Sequence, residues 1–202
     1  MNELRPGLWH WTVRHPEWTD EDDAADLGWG PDVSCYAFAI GERLVLVDPA
    51  VPDGGLDDLL AGREGVIVLT CPWHVRDAVS LGLPIHAPPL DAPRDWSAQT
   101  FTPGDTLGVG IRVFPGLEPF DLVLWLESHR ALVFGDTLID RGHGLELPDD
   151  WGPPPAPGFS HRAVLDSLRP CLDLPLELAL PTHGPPADRA AFERALDGPA
   201  AA

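Results

Sequence analysis

The chain has 202 residues, 44% of them hydrophobic, which suffices for one sizeable core, so a single domain spanning 1–202 is expected. Acidic residues outnumber basic ones by 32 to 13, every basic residue is an arginine, and the net charge of −19 repels phosphate backbones and argues against nucleic acid as a partner. Cys35, Cys71 and Cys171 are odd in number and widely spaced, which excludes a disulfide framework, and no apolar run approaches a membrane span; free thiols, a cytoplasmic location and no membrane partner are expected.

In chain order, β-patterned runs come first, over 8–13, 33–40, 44–47 and 66–69. A helical segment is predicted over 74–81, followed by a short strand at 84–86. A second group of strands occupies 110–114, 122–126 and 131–134, and a helix over 161–168 precedes a last strand at 176–180. Ala190, Ala191, Phe192, Ala195 and Leu196 fall at helical spacing, so 188–196 reads as a closing amphipathic helix. The pattern is mixed α/β.

Proline and glycine, 24 and 20 residues, gather in connections such as 87–89 and 152–158, the latter a stiff loop. Gly-Asp-Thr-Leu occurs at 104–107 and again at 135–138, but the first precedes a strand as a turn would and the second follows one, so no repeat is implied. Of the eight tryptophans most read as core or loop-covering residues, while a second reading has Trp18, Trp29 and Trp73 walling an aromatic pocket.

Three pieces of sequence close apolar runs with polar residues. They are Leu44-Val45-Leu46-Val47-Asp48-Pro49, Phe134-Gly135-Asp136-Thr137-Leu138 and Pro181-Thr182-His183-Gly184. With Thr70 opening a loop after the run at 66–69, their order resembles the metallo-β-lactamase superfamily. That family presents an early Asp, a T-H-x-H-x-D-H loop, a P-G-H-T-P-G turn, a G-D and a late H-G. The resemblance covers roughly 33–185 and implies an αββα sandwich of two mixed β-sheets flanked by helices, with the site along one edge. It also implies that Asp136 matches the metal-bridging Asp and His183 the last ligand.

Two elements depart from the family pattern. Cys71 falls at the first histidine of the loop, and Trp73, or His74 with one inserted residue, at the second; the gapped register puts Arg76 at the aspartate and Asp77 at the last histidine. Leu117 stands where the turn has its histidine, and leucine cannot bind metal. What remains is His74, Asp77, Asp136 and His183, two imidazoles and two carboxylates, suited to one divalent ion, zinc ahead of manganese or iron, rather than two. If a helix begins at Trp73 or His74, His74 and Asp77 share its first turn. Cys71, beside Pro72, reads as a buried structural cysteine, with a thiolate ligand as the other use.

Two functions follow from this set. As an enzyme the chain would be a metal-dependent hydrolase of a small ester, thioester or lactone. His74, Asp136 and His183 would hold the ion, Asp77 would complete the shell or take up the proton, and Arg76 would steady the substrate or oxyanion. Trp73, Arg141 and His143 are the remaining candidate substrate contacts. As a non-catalytic member it would bind a small molecule or act as a scaffold without any metal, Arg76 pairing with Asp136 in a fork-like salt bridge. The sequence leaves the oligomeric state open.

Overall fold

The computed structural model describes residues 1–24, 30–89, 94–117, 121–148 and 160–198; Trp29, the end of the turn at 113–120 and the proline-rich loop at 152–158 lie outside them. Alternating apolar strands build two sheets. The first runs, in spatial order, β1 (Asn2–Arg5), β2 (Leu8–Arg14), β3 (Asp32–Ile40), β4 (Arg43–Val47), β5 (Glu64–Val68), β6 (Ile85–Ala87) and β7 (Gln99–Thr100). Pairing is antiparallel up to β4 and parallel from β4 onward, so the sheet is mixed.

The second half of the chain supplies β8 (Thr106–Leu107), β9 (Ile111–Pro115), β10 (Leu122–Leu126) and β11 (Ala131–Phe134). A separate ribbon of β12 (Ile139–Asp140) and β13 (Leu145–Glu146) follows, then β14 (Leu178–Pro181) and β15 (Ala187–Asp188). The second sheet has the order β15-β14-β11-β10-β9-β8, and within it only β11 and β14 are parallel.

Strand periodicity sorts the side chains into layers. Val45 and Val47 of β4 face Leu122, Leu124 and Leu126 of β10 in a shared core between the sheets. After α1 (Asp20–Ala24), the short helix α2 (Asp57–Leu60) contributes Leu59, with which Leu44 and Leu46 turn outward to pack, together with Ala78. Val123 and Trp125 turn outward from the other sheet onto Leu165 and Leu168 of α3 (His161–Leu168) and Phe192 and Leu196 of α4 (Arg189–Asp197). Both helices begin on a capping side chain: Ser160 Oγ accepts from the amide of Ala163, and the Asp188 carboxylate from that of Ala191. The αββα sandwich implied by the motif order is therefore present, and no helix among the described residues is long and apolar enough to cross a membrane.

One expected element is absent. Residues 72–82 form successive turns, not a helix. Arg76 has φ of 42°, in the left-handed region that a right-handed helix cannot pass through. The chain consequently swings the amide of Asp77 onto the carbonyl of Pro49, 3.1 Å away in another loop. The shared helix face expected for His74 and Asp77 disappears with the helix. The strands at 2–5, 99–100, 106–107 and 187–188 and the ribbon also go unforeseen, because two to four residues carry too little periodicity to read.

Candidate metal centre

The polar residues that end apolar runs meet along one edge of the sandwich. Asp48 follows β4 and Thr70 follows β5, a parallel pair; Asp136 follows β11 and His183 follows β14, the parallel pair of the other sheet. Sites at the carboxyl ends of parallel strands are the rule in α/β proteins. The two sheets are stitched together here, since the amide of Ser34 donates to Thr182 O (2.9 Å), Tyr36 Oη donates to Pro181 O (2.7 Å) and the amide of Leu122 donates to Thr70 O (2.9 Å).

His74 is oriented from behind. Its Nδ1 lies 3.0 Å from Asp48 Oδ2 and 3.2 Å from Thr70 Oγ1, while the wholly buried Asp48 also accepts from the Thr70 amide (2.8 Å) and hydroxyl (2.5 Å). With Nδ1 held by a carboxylate, Nε2 is the nitrogen turned to the centre, the arrangement that prepares a histidine to ligate a metal. Asp48, with φ of 45°, is itself left-handed. Nη1 of Arg76 donates to its carbonyl at 2.7 Å and to Ser34 O at 3.3 Å, so one strained residue braces the other.

Asp136 is oriented in the same manner. Its Oδ2 accepts from Trp73 Nε1 at 2.7 Å. Its Oδ1 faces His74 Nε2 at 3.2 Å and His183 Nε2 at 3.4 Å, yet this buried atom has no partner in hydrogen-bond geometry among the described residues. Each separation by itself is close to the roughly 3.3 Å expected between two donors of one tetrahedral ion, whereas the set whose ligating atoms all lie within 4.8 Å of one another is Cys71, His74 and Asp136, with His183 beside it. An orphaned carboxylate oxygen between two imidazole nitrogens fits a dication.

Charge shifts report the same crowding. Burial by itself would raise the Asp136 carboxyl, but the charge of His74 and the close approach of the His183 and His74 rings outweigh it and hold it well below the usual carboxylate range. Burial disfavours a charged His74 ring, yet Cys71, Asp136 and Asp48 together raise it well above 6.5. For His183 burial prevails, with the His74 and Arg76 charges adding to it, and its pKa falls to about 4 despite Asp136. Under the centre, Asp121 accepts from Thr137 Oγ1 (2.6 Å) and from the Asp136 amide (3.3 Å); burial and the charge of Asp136 push its carboxyl up to about 8.

The other expected residues stand elsewhere. Asp77 turns away, its Oδ2 accepting from the amide of Val51 at 2.7 Å, because the left-handed Arg76 redirects the chain. Arg76 does not form the fork-like pair with Asp136: Nη1 is committed to the two carbonyls, while Nε and Nη2 lie buried without hydrogen-bond partners among the described residues. Trp73 is about half exposed, at 49%, and touches the centre through its indole N–H rather than its ring face. Arg141 and His143 both reach Glu146, at 3.5 and 3.0 Å, on the β12–β13 ribbon, which is tied to the site by the Asp140 amide donating to His183 O (2.8 Å). Leu117 is buried packing, its amide donating to Thr137 Oγ1.

Two supporting roles were not legible. Asp121 is a charge abutting a wholly apolar run, a signal that could have drawn attention to it, and the donor role of Trp73 leaves no local mark; Asp48 was marked by the motif order, but not as the support of His74. Cys71 joins the centre directly, its Sγ and one ligating atom each from His74 and Asp136 all lying within 4.8 Å of one another.

No family model matches the sequence, and no curated protein matches it. Solved structures do. TTHA1623, determined in a di-iron-bound form, superposes with TM-score 0.61 at 25% identity over 82% of this chain and 95% of its own. A metallo-β-lactamase from Erythrobacter litoralis gives 0.65 at 19% identity over 97% and 89%. The metallo-β-lactamase FIM-1 from Pseudomonas aeruginosa, in a mono-zinc form, gives 0.64 at 16% identity over 96% and 92%. Motif order, sandwich topology and these likenesses identify the chain as a divergent protein of the metallo-β-lactamase fold.

Proposed function

We propose that the chain is a metal-dependent hydrolase of a small ester, thioester or lactone, holding one divalent ion, zinc ahead of manganese or iron, through His74, Asp136 and His183. The observation that carries this reading is Asp136 Oδ1, buried without a hydrogen-bond partner among the described residues and facing two imidazole nitrogens at 3.2 and 3.4 Å, with Asp48 and Trp73 orienting His74 and Asp136 from behind. A bound ion supplies Lewis acidity to a carbonyl and lowers the pKa of water. Neighbouring structures of the same fold hold iron or zinc.

The protein's own residues have separable tasks. Asp48 and Thr70 fix the His74 ring, and Trp73 fixes the Asp136 carboxylate. Asp77 anchors the loop that follows Asp48 rather than entering the ion's shell. Arg76 retains two donors without acceptors among the described residues, which suits it to an anionic group of the substrate. Arg141 and His143, on the ribbon beside His183, are the proposed contacts for the far end of the substrate. Val51, Trp73 and Val79, three of the four exposed large hydrophobics among the described residues, sit on the two loops that carry the site, which favours an apolar acyl group. Three free cysteines agree with a reducing cytoplasm.

The metal-free alternative loses its supporting contact, because Arg76 turns Nη1 to backbone carbonyls and makes no pair with Asp136 among the described residues. Elemental analysis of protein purified without added metal, alongside a panel of chromogenic esters, thioesters and lactones, tests the proposal. Near-stoichiometric zinc, manganese or iron and hydrolysis of one class are expected, with both lost in Asp136→Ala. Protein that is folded, metal-free and unable to take up any of the three ions overturns it.

A further inference from the structure

We infer that Cys71 is a thiolate ligand of this centre, so that Cys71, His74 and Asp136 form its core; the inference rests on the metal-binding reading above. The three side chains come from separate requirements of the fold. Cys71 and His74 are placed by the loop leaving β5, the amide of His74 donating to the Cys71 carbonyl at 3.2 Å, and Asp136 is placed by the end of β11 in the other sheet. Their ligating atoms fall within 4.8 Å of one another, the one such trio among the described residues. His183 stands outside that trio, though its Nε2 reaches the same carboxylate oxygen at 3.4 Å.

The surroundings of Cys71 separate it from a packing cysteine. It lies with the buried His74 imidazole and the Asp136 carboxylate, and Thr70 Oγ1 is 4.0 Å from Sγ. Cys171, by contrast, packs among Leu165, Leu168 and Phe192. On binding, an S–metal bond forms and the S–H bond breaks, its proton leaving to solvent, with no change in oxidation state.

A thiolate changes which ion the site prefers. Sulfur favours zinc, cobalt or cadmium and discriminates against manganese and magnesium, which favour oxygen donors. One thiolate and one carboxylate also cancel the two charges of the ion, so the loaded centre is electrically neutral within the protein.

The test is titration of metal-free wild-type protein with Co²⁺, followed by optical absorption. A near-ultraviolet thiolate-to-cobalt charge-transfer band is expected at one equivalent, absent from Cys71→Ser, whose affinity for zinc is lower by about tenfold or more. X-ray absorption on zinc-loaded wild type gives a second reading, one sulfur scatterer at about 2.3 Å, and decides the matter should the variant fail to fold. Stoichiometric binding without the band or the sulfur scatterer overturns the Cys71 assignment and leaves the metal reading standing. Failure of wild type to bind cobalt, zinc, manganese or iron overturns both.

Discussion

At the scale of single residues the centre depends on groups that never touch the reacting atoms. Trp73 donates to one oxygen of Asp136 and leaves the other facing two imidazoles. Removing such an orienting hydrogen bond typically weakens metal binding by about 10–100-fold. Trp73→Phe, at a half-exposed position, is expected to fold normally and to lose zinc affinity by that factor in a competitive chelator titration. Asp77→Asn is the contrasting variant. An amide oxygen still accepts from Val51, so zinc affinity should stay within about twofold of wild type, well below the span of an orienting contact. A large loss in the second variant, or none in the first, contradicts the assigned roles.

Elements explain why those side chains converge. Each donor sits two to six residues beyond a strand of a parallel pair, where the backbone leaves the sheet and a polar group can be tolerated. Gly135 shows how tight this edge is. A Cβ there would lie 2.6 Å from Thr70 Oγ1 and collide with the Asp121 carboxylate. Gly135→Ala should therefore destabilise the fold by about 1–3 kcal/mol, read as a lower urea midpoint with unchanged slope. A midpoint equal to wild type would mean that the edge yields more readily than its contacts suggest. The Gly-Asp pair that marked this loop in the sequence is thus a packing requirement joined to a donor.

Taken whole, the molecule has a characteristic response to acid. His10, His15, His86, His129 and His183 all have pKa values lowered, burial being the first cause in each case. The folded protein keeps them neutral where the unfolded chain takes up protons, so their contribution is complete above about pH 6.5 and is lost as pH falls, for His183 down to about 4. His74 runs the other way: its contribution is complete below about 6.5 and is lost only as pH rises through its elevated value. The acidic surface, with net charge −19, repels itself less as acid is added and opposes the trend of the five. Comparing His10→Gln with wild type removes that common background. His10 stacks on Tyr36 and contacts Ser34 Oγ, and its replacement should flatten the fall in urea midpoint between about pH 7 and about pH 5 in metal-free protein. Parallel pH profiles for the two proteins would count against the assignment.

The same scale shows what could be read in the sequence and why. Strands of five or more residues were legible because their alternation is dictated by two buried faces, and the helix over 161–168 because its apolar spacing and Ser160 cap are local. Asp136 and His183 were legible as polar residues closing apolar runs. The region 72–82 was not, because its course is decided by Arg76, which is left-handed in its backbone and bonded through its guanidinium to carbonyls 28 and 42 positions away. Asp77 was misplaced for that reason, and Asp48 was recognised without its partner, His74, 26 positions on.

His74 with its Asp48 support belongs to the first sheet, while Asp136 and His183 belong to the second, so anything bound between them acts as a clamp across the seam of the sandwich. Occupancy is then written into the unfolding equilibrium by mass action, adding about 2.7 kcal/mol when a ligand is present at a hundred times its dissociation constant. Melting temperature becomes an assay of the centre that needs no substrate, and the order in which different ions raise it ranks their affinities.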